Sequence, residues 1–222
     1  MSQLILFQGD SITDARRDRE NDRFAGNGYP TLVAGRLGYE APGQYAFLNR
    51  GIGGNRVVDL YARIKADIIN LRPDWVSVLI GINDVWHEIG RQNGVAADKY
   101  ERLYDMLLEE IRQALPEVKL MVLEPFVLPG DATDSTPEAP RRWETFHREV
   151  ALRAAAAQRV ARKHHACFVP LQARFDAASA RGGRGYWLMD GVHPTAMGHE
   201  LIARAWMEAF RQASNDEWEG KA

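Results

Sequence analysis

Ser11, Asp190 and His193 are side chains whose types could together activate a hydroxyl. A serine is a weak nucleophile at neutral pH, so it needs an imidazole to take its proton and a carboxylate to orient that imidazole. Ser11 stands in Leu4-Ile5-Leu6-Phe7-Gln8-Gly9-Asp10-Ser11-Ile12-Thr13, just past an apolar run, and Asp190-Gly191-Val192-His193-Pro194 supplies acid and base near the other end. With Asp190 three residues before His193, the carboxylate can bond one ring nitrogen while the other faces the serine. Taken singly, each segment also fits a plain turn: Gly-Asp-Ser is ordinary turn chemistry, Thr13 or Asp14 suits the cap of a helical turn, and Asp190 or Thr195 suits an N-cap.

Two intermediate segments offer donors for a developing negative charge. Asn49-Arg50-Gly51-Ile52-Gly53-Gly54-Asn55 leaves an apolar run and enters a helical one, so a backbone N–H there can approach a substrate oxygen with no Cβ in the way. A phosphate cradle is the rival reading, but neither the Gly-x-Gly-x-x-Gly spacing nor a Gly-Lys-Ser/Thr ending is present. Gly81-Ile82-Asn83-Asp84 places an amide side chain beyond another apolar run, where it can donate to an oxyanion or simply make an Asn-Asp turn.

Positioning these segments requires a parallel sheet. Short β-rich runs at 4–7, 45–49, 75–80, 119–123 and 166–170 alternate with helical periodicity at 30–37, 57–71, 98–115, 141–164 and 196–213. This pattern predicts an α/β fold with helices on both faces. Val57, Leu60, Ile64 and Ile68 form one apolar stripe of the second helical segment. The chemically suggestive segments all follow a strand, and the carboxyl edge of such a sheet is where ligands bind. The proline-rich stretch 125–140 reads as a surface loop flanking that edge, and 214–222 as a frayed or partner-bound end.

A chain of 222 residues suits one domain, 1–222, with a core large enough to need no staples. A formal charge of -2 provides no broad field for nucleic acid or an anionic membrane. The single cysteine, Cys167, excludes an internal disulfide and fits a buried strand in a reducing compartment. The N-terminus has neither a basic n-region nor a long apolar stretch, so a cytoplasmic location is expected. His164 and His165 suit the end of a helix, and His87, His147 and His199 lack ligand-spaced partners, so no metal is assigned.

The four segments, met in this order from Leu6 to His199, resemble the SGNH hydrolases, a branch of the GDSL esterase and lipase family. The resemblance implies a flavodoxin-like three-layer α/β/α sandwich around a five-stranded parallel sheet, with no cofactor and no metal. It also implies Ser11 as nucleophile, Asp190 and His193 as acid and base, and Ser11, Gly54 and Asn83 as oxyanion donors. The Gly-x-Ser-x-Gly elbow of α/β-hydrolases is absent, and the acid stands close to the histidine rather than on a distant loop.

Gly51-Ile52-x-Gly-Asn55, Trp75-Val76-Ser77 and Gly81-Ile82-Asn83-Asp84-Val85-Trp86 are similar to a carbohydrate-deacetylating subgroup that includes acetylxylan esterases. That similarity implies a short-chain, acetyl-removing esterase acting on an acylated sugar, with Asp10, Asn55, Arg56 and Trp86 as substrate contacts. Trp86 suits either a platform for a sugar ring or core packing. Arg56 departs from the small hydroxyl residue of the subgroup; its length suits narrowing the cleft or pairing with Asp84 or another acid. Arg141, Arg142, Trp143 and Trp187 are candidates for the acyl pocket or a subunit contact. A lysophospholipase or thioesterase acting on longer acyl chains, and a carbohydrate-binding module without catalysis, are the rival readings. Six tryptophans, together with the resemblance, lead to an expectation of a homo-oligomer.

Overall fold

The computed structural model describes residues 2–183 and 185–219. The apolar runs become β1 (Gln3–Gly9), β2 (Tyr45–Asn49), β3 (Trp75–Leu79), β4 (Lys119–Leu123) and β5 (Cys167–Val169). They form a five-stranded sheet in the order β2-β1-β3-β4-β5, every pair parallel. The strand order reverses direction between β1 and β3, which opens a crevice at their carboxyl ends. The connecting segments form α1 (Ser11–Asp14), α2 (Tyr29–Glu40), α3 (Val57–Ala62), α4 (Ile64–Asp67), α5 (Ile82–Arg91), α6 (Ala97–Ala114), α7 (Arg142–Lys163), α8 (Gln172–Gly182) and α9 (Ala196–Glu219).

Side chains alternate across each strand, so every strand feeds two cores. Ile5, Phe7, Trp75, Met121 and Leu123 pack with residues of α2, α8 and α9 on one face. Leu6, Val76, Val78, Leu120 and Val122 pack with α3, α6 and α7 on the other. The outcome is the expected three-layer α/β/α arrangement. Trp206 sits at the centre of the first core, stacked on Phe210 at 4.9 Å, and its ring N–H donates to the buried Ser77 hydroxyl at 2.9 Å. That bond satisfies a hydroxyl lodged in a central strand, where an unpaired polar group would be costly.

Several expectations need correction. The segment 57–71 is not one helix: it divides at Arg63 and Ile68 into α3, α4 and a 3₁₀ turn, Ile69–Leu71. The breaks close with tighter i to i+3 bonds, such as Arg63 N–H to the Leu60 carbonyl at 3.3 Å, while Val57, Leu60, Ile64 and Ile68 all stay buried. Asp10, rather than Thr13 or Asp14, caps α1. Helices α5 and α8 have no counterpart among the predicted segments. The stretch 125–140 is only partly a surface loop, since Phe126, Val127 and Leu128 are buried and Phe126 stacks on Phe175 at 4.2 Å. Helical backbone continues from Ser214 to Glu219, and 220–222 lie outside the described residues. Cys167 is half-buried, because β5 is a three-residue edge strand; its thiol approaches the Ala209 carbonyl at 3.7 Å.

Trp75 and Trp206 belong to the core, and Trp86, Trp143 and Trp187 are partly buried against it, so these tryptophans do not by themselves require a subunit interface. Among the described residues no helix is long and apolar enough to cross a membrane.

Trp206→Ala should cost about 3–5 kcal/mol, through the cavity it leaves and the Ser77 hydroxyl it strands. Urea unfolding monitored by circular dichroism measures this, and Trp206→Phe should lose distinctly less.

Candidate active site

The crevice at the carboxyl edge is organised by backbone groups that side chains tie together. After β1, Asp10 turns the chain and its Oδ1 accepts the Ile12 N–H at 2.9 Å, starting the single helical turn of α1 with Ser11 in the first position. Asn49, the last residue of β2, holds that turn in place: its Nδ2 donates to the Thr13 and Ala25 carbonyls at 2.6 and 2.8 Å, and its Oδ1 accepts the Gly51 N–H at 2.9 Å. Gly51 lies so close beneath that a Cβ would stand 2.4 Å from the Asp14 nitrogen. Only glycine allows that approach.

Asp190 and His193 lie on a tight turn closed by the Met189 N–H to His193 carbonyl bond at 2.8 Å and an isolated antiparallel bridge between Leu188 and Pro194. Asp190 Oδ1 accepts the Val192 and His193 N–H groups at 2.9 and 2.8 Å, and its Oδ2 meets His193 Nδ1 at 2.7 Å. The other ring nitrogen, Nε2, lies 3.0 Å from Ser11 Oγ, across 182 positions of sequence. The 125–140 stretch supports this turn from behind: Leu128 N–H donates to the Gly191 carbonyl and Ala132 N–H to the Asp190 carbonyl, at 2.9 and 3.0 Å. Thr195 caps α9, as one of the sequence readings has it, by accepting the Gly198 N–H at 3.3 Å.

Electrostatics follow from this geometry. Burial alone would raise the Asp190 carboxyl, but the His193 ring and the two backbone donors outweigh it and hold the group at about 2. The same hydrogen bond raises His193 above the usual imidazole value, against the opposing effect of its burial. Serine, imidazole and carboxylate therefore form one line along which a proton on Oγ has an acceptor with a fixed tautomer.

Around Ser11, the structure also gathers the expected donors. Ser11 heads α1 and Gly54 has φ +81°; among the described residues neither N–H is engaged by an internal acceptor. Asn83 lies in the first turn of α5, and its Nδ2 donates one hydrogen to the Asn55 carbonyl at 3.1 Å, leaving the second available. Asp84, fully buried, accepts the Val57 N–H at 3.1 and 3.3 Å and so pins the start of α3 to the start of α5, which fixes Gly54 relative to Asn83. Burial pushes the Asp84 carboxyl up to about 7.

The expected substrate contacts fare differently. Asp10 is 1% exposed and lies beneath Ser11, with its carboxyl pushed by burial to about 7; it is structural and closed off from the cleft. Asn55 Oδ1 accepts from Arg63 Nε at 2.9 Å. Arg56 pairs with Asp59 rather than Asp84 and also donates to the Asn93 carbonyl at 2.7 Å, so its charge is neutralised within the fold. Trp86 is the one that reaches the site: its ring lies 5.7 Å from that of His193 and 6.0 Å from that of Phe146. Arg141 pairs with Glu144, Arg142 donates to the Ala132 carbonyl at 2.8 Å, and Trp143 lies against His147, so these three serve the start of α7.

Sequence reasoning misses the roles of Arg63 and His199. Arg63 joins Gln8, Arg50, Asn55 and Asp67, fastening the glycine-rich segment to β1; its spacing from these partners carries no local signal. His199 accepts the Tyr29 N–H at 3.2 Å and burial lowers it to about 4, which leaves it neutral. A cleft of about 720 Å³ opens beside Ser11, lined by Asp14, Arg16, Arg17 and Arg19 of the following loop and by Met189, His193 and His199 from the other end of the chain. A second cavity of about 750 Å³ lies at the opposite edge of the sheet near Trp75 and Lys119, away from the strand ends where ligands of such folds gather. Among the described residues no cluster of His, Cys, Asp and Glu could hold a metal ion.

Comparison with known proteins bears on this arrangement. Residues 7–201 match the model of the GDSL-like lipase/acylhydrolase family. The chain is 34% identical over 214 residues to an acetylxylan esterase from Geobacillus stearothermophilus, covering 92% of each. A protein from Parabacteroides merdae described as a GDSL-like lipase superposes with a TM-score of 0.87 at 36% identity, covering 94% of this chain and 95% of that one. A catalytic mutant of Axe2, an acetylxylan esterase from G. stearothermophilus in which a serine is replaced by alanine, superposes with a TM-score of 0.81 at 30% identity, covering 94% and 95%.

Asp190→Asn removes the charge that holds His193 up, so the imidazole should titrate at lower pH than in the unsubstituted protein. Proton NMR of the His193 ring measures both values; equal values would detach Asp190 from His193.

Proposed function

Because this chain belongs to the GDSL-like lipase/acylhydrolase family and is a carboxylic ester hydrolase, we propose that it removes short acyl groups, acetyl foremost, from the hydroxyls of a carbohydrate, with residues 1–222 acting as a single domain. The observation that carries the mechanism is the 3.0 Å contact between Ser11 Oγ and His193 Nε2, continued to Asp190. In this reading His193 takes the Ser11 proton as Oγ attacks the ester carbonyl. Asp190 keeps the Nδ1 proton in place and stabilises the imidazolium that forms. The Ser11 and Gly54 N–H groups and the free hydrogen of the Asn83 amide receive the oxyanion. His193 then returns its proton to the departing alcohol, and in the second half it activates a water that releases the acid from Ser11.

A short acyl group and a sugar alcohol suit the surroundings. The likeness to acetylxylan esterases supports the substrate class. Trp86, poised against His193, offers the broad face on which a sugar ring can lie. A binding module would have no use for a nucleophile paired with a base.

Hydrolysis of 4-nitrophenyl esters tests the reading: acetate should be the preferred chain length, and Ser11→Ala should abolish turnover. Preference for long chains would select a lysophospholipase or thioesterase instead. Asn83→Ala should lower kcat by about 10²–10³ with little change in thermal stability, since one oxyanion donor is lost. His193 must be neutral to accept the proton and its bond to Asp190 raises it, so kcat/KM should rise with pH through a midpoint above about 6.5. A profile flat into strong acid would remove His193 as the base.

A further inference from the structure

The cleft beside Ser11 and His193 is lined by three arginines, Arg16, Arg17 and Arg19, and by one carboxylate, Asp14. Arg19 is already paired: its Nη2 donates to Asp14 Oδ2 at 2.8 Å, and the same oxygen accepts the Gly53 N–H at 3.0 Å. Arg50 is paired with Asp22. Arg17 is not balanced in this way. It is half-buried, its Nε donates to the Gly51 carbonyl at 2.8 Å, and among the described residues no carboxylate pairs with it. Burial, with the charges of Arg19 and Arg50, lowers its pKa and outweighs the opposing effect of Asp14 and Asp67. Arg16 is exposed, lines the same cleft and has no ion-pair partner among the described residues.

The backbone holds these two guanidinium groups at the cleft. Ala15 and Arg16 both have left-handed conformations, φ 40° and 61°, which side-chain-bearing residues adopt only when their surroundings hold them there. They are held by Arg17 N–H on the Asp14 carbonyl at 2.8 Å and Asn27 N–H on the Ala15 carbonyl at 2.7 Å. Among the described residues, neither Asp18 nor Glu20 of the same loop forms an ion pair with Arg16 or Arg17; Asp18 Oδ1 accepts the Glu20 and Asn21 N–H groups at 2.8 and 3.1 Å. His199, which lines the same cleft, adds no charge, because burial keeps it at about 4.

His193 has to deliver its proton to the leaving oxygen, so the alcohol portion of an ester must pass the imidazole, and the cleft that His193 lines is also lined by Arg16 and Arg17. We propose that the alcohol portion of the substrate carries an anionic group, a carboxylate or a phosphate, which Arg16 and Arg17 receive at the mouth of the cleft. The inference rests on Ser11 and His193 acting as nucleophile and base. Guanidinium forks match the paired oxygens of either anion, and two of them lining one cleft both steer the substrate and orient it. Their contribution weakens as salt screens them.

The test compares kcat/KM on three acetylated methyl glycosides: a neutral glucoside, a glucuronoside bearing a carboxylate, and a glucoside 6-phosphate. Expected is a preference of about tenfold or more for at least one anionic ester at low salt, expressed mainly in KM and shrinking as sodium chloride is added. The better of the two anionic esters identifies the group. Arg16→Gln, on an exposed side chain without partners, should remove several-fold of that preference and leave 4-nitrophenyl acetate hydrolysis within about twofold; Arg17→Gln should act more strongly in the same direction. Equal or faster hydrolysis of the neutral glycoside, or a preference that neither salt nor these substitutions alters, would overturn the proposal. If 4-nitrophenyl acetate is hydrolysed while the anionic preference is missing, only this proposal falls. If the unsubstituted protein does not hydrolyse that ester at all, the nucleophile assignment falls and this proposal with it.

Discussion

The hydrogen bond between Ser11 and His193 joins two turns that the sequence holds 182 positions apart, and much of the structure exists to keep those turns in register. A contact of 3.0 Å leaves no tolerance for drift between β1 and the start of α9. The chain meets this by building each turn from backbone hydrogen bonds before any side chain is presented. On one side stand the Asp10 cap and the Asn49 clamp. On the other stand the two N–H donors to Asp190 and the bridge between Leu188 and Pro194. Between them lies the Trp206 core, whose bond to Ser77 ties α9 to the central strand. Side chains on such rigid supports keep their orientation to one another.

Carboxyls at the crevice sit in two kinds of environment. Asp190 is held low because it has an imidazole and two N–H donors to serve. Asp10 and Asp84, each pushed by burial to about 7, instead hold helix starts, α1 and α3, at the strand ends. One residue type thus ionises in two different ranges within a single crevice, and the number of donors and the exposure tell the two apart. Arg63 plays a comparable part with positive charge, anchoring the glycine-rich segment to Gln8 on β1.

Charge in the cleft is distributed unevenly. From α9 and the His193 turn the cleft is lined by Met189, His193, Thr195 and His199, while the loop after Ser11 lines it with Arg16, Arg17, Arg19 and the carboxylate of Asp14. With a chain of near-balanced charge overall, this asymmetry is local, and it arises because Asp14 and Asp22 neutralise Arg19 and Arg50 but leave Arg16 and Arg17 unmatched.

Linear pattern sufficed for the strands, because their apolar alternation is local, and for the candidate residues of the site, because each stands within a few positions of a strand end. Family membership was legible in the same way, from segments of only a few residues met in a fixed order. Helix α5 was not legible, since Ile82-Asn83-Asp84 satisfies turn chemistry as well as a first helical turn; Val57 and Tyr100, distant in sequence, resolve the ambiguity by bonding Asp84 and the Ile80 carbonyl. The division of 57–71 likewise follows from Arg63 reaching partners up to 55 positions away. It took the folded chain to assign Asp10, Asn55 and Arg56 to the scaffold, to set Trp86 against His193, and to leave two arginines without a counter-charge. Those outcomes depend on burial and on which partners long side chains meet, and the order of residues along a chain records neither.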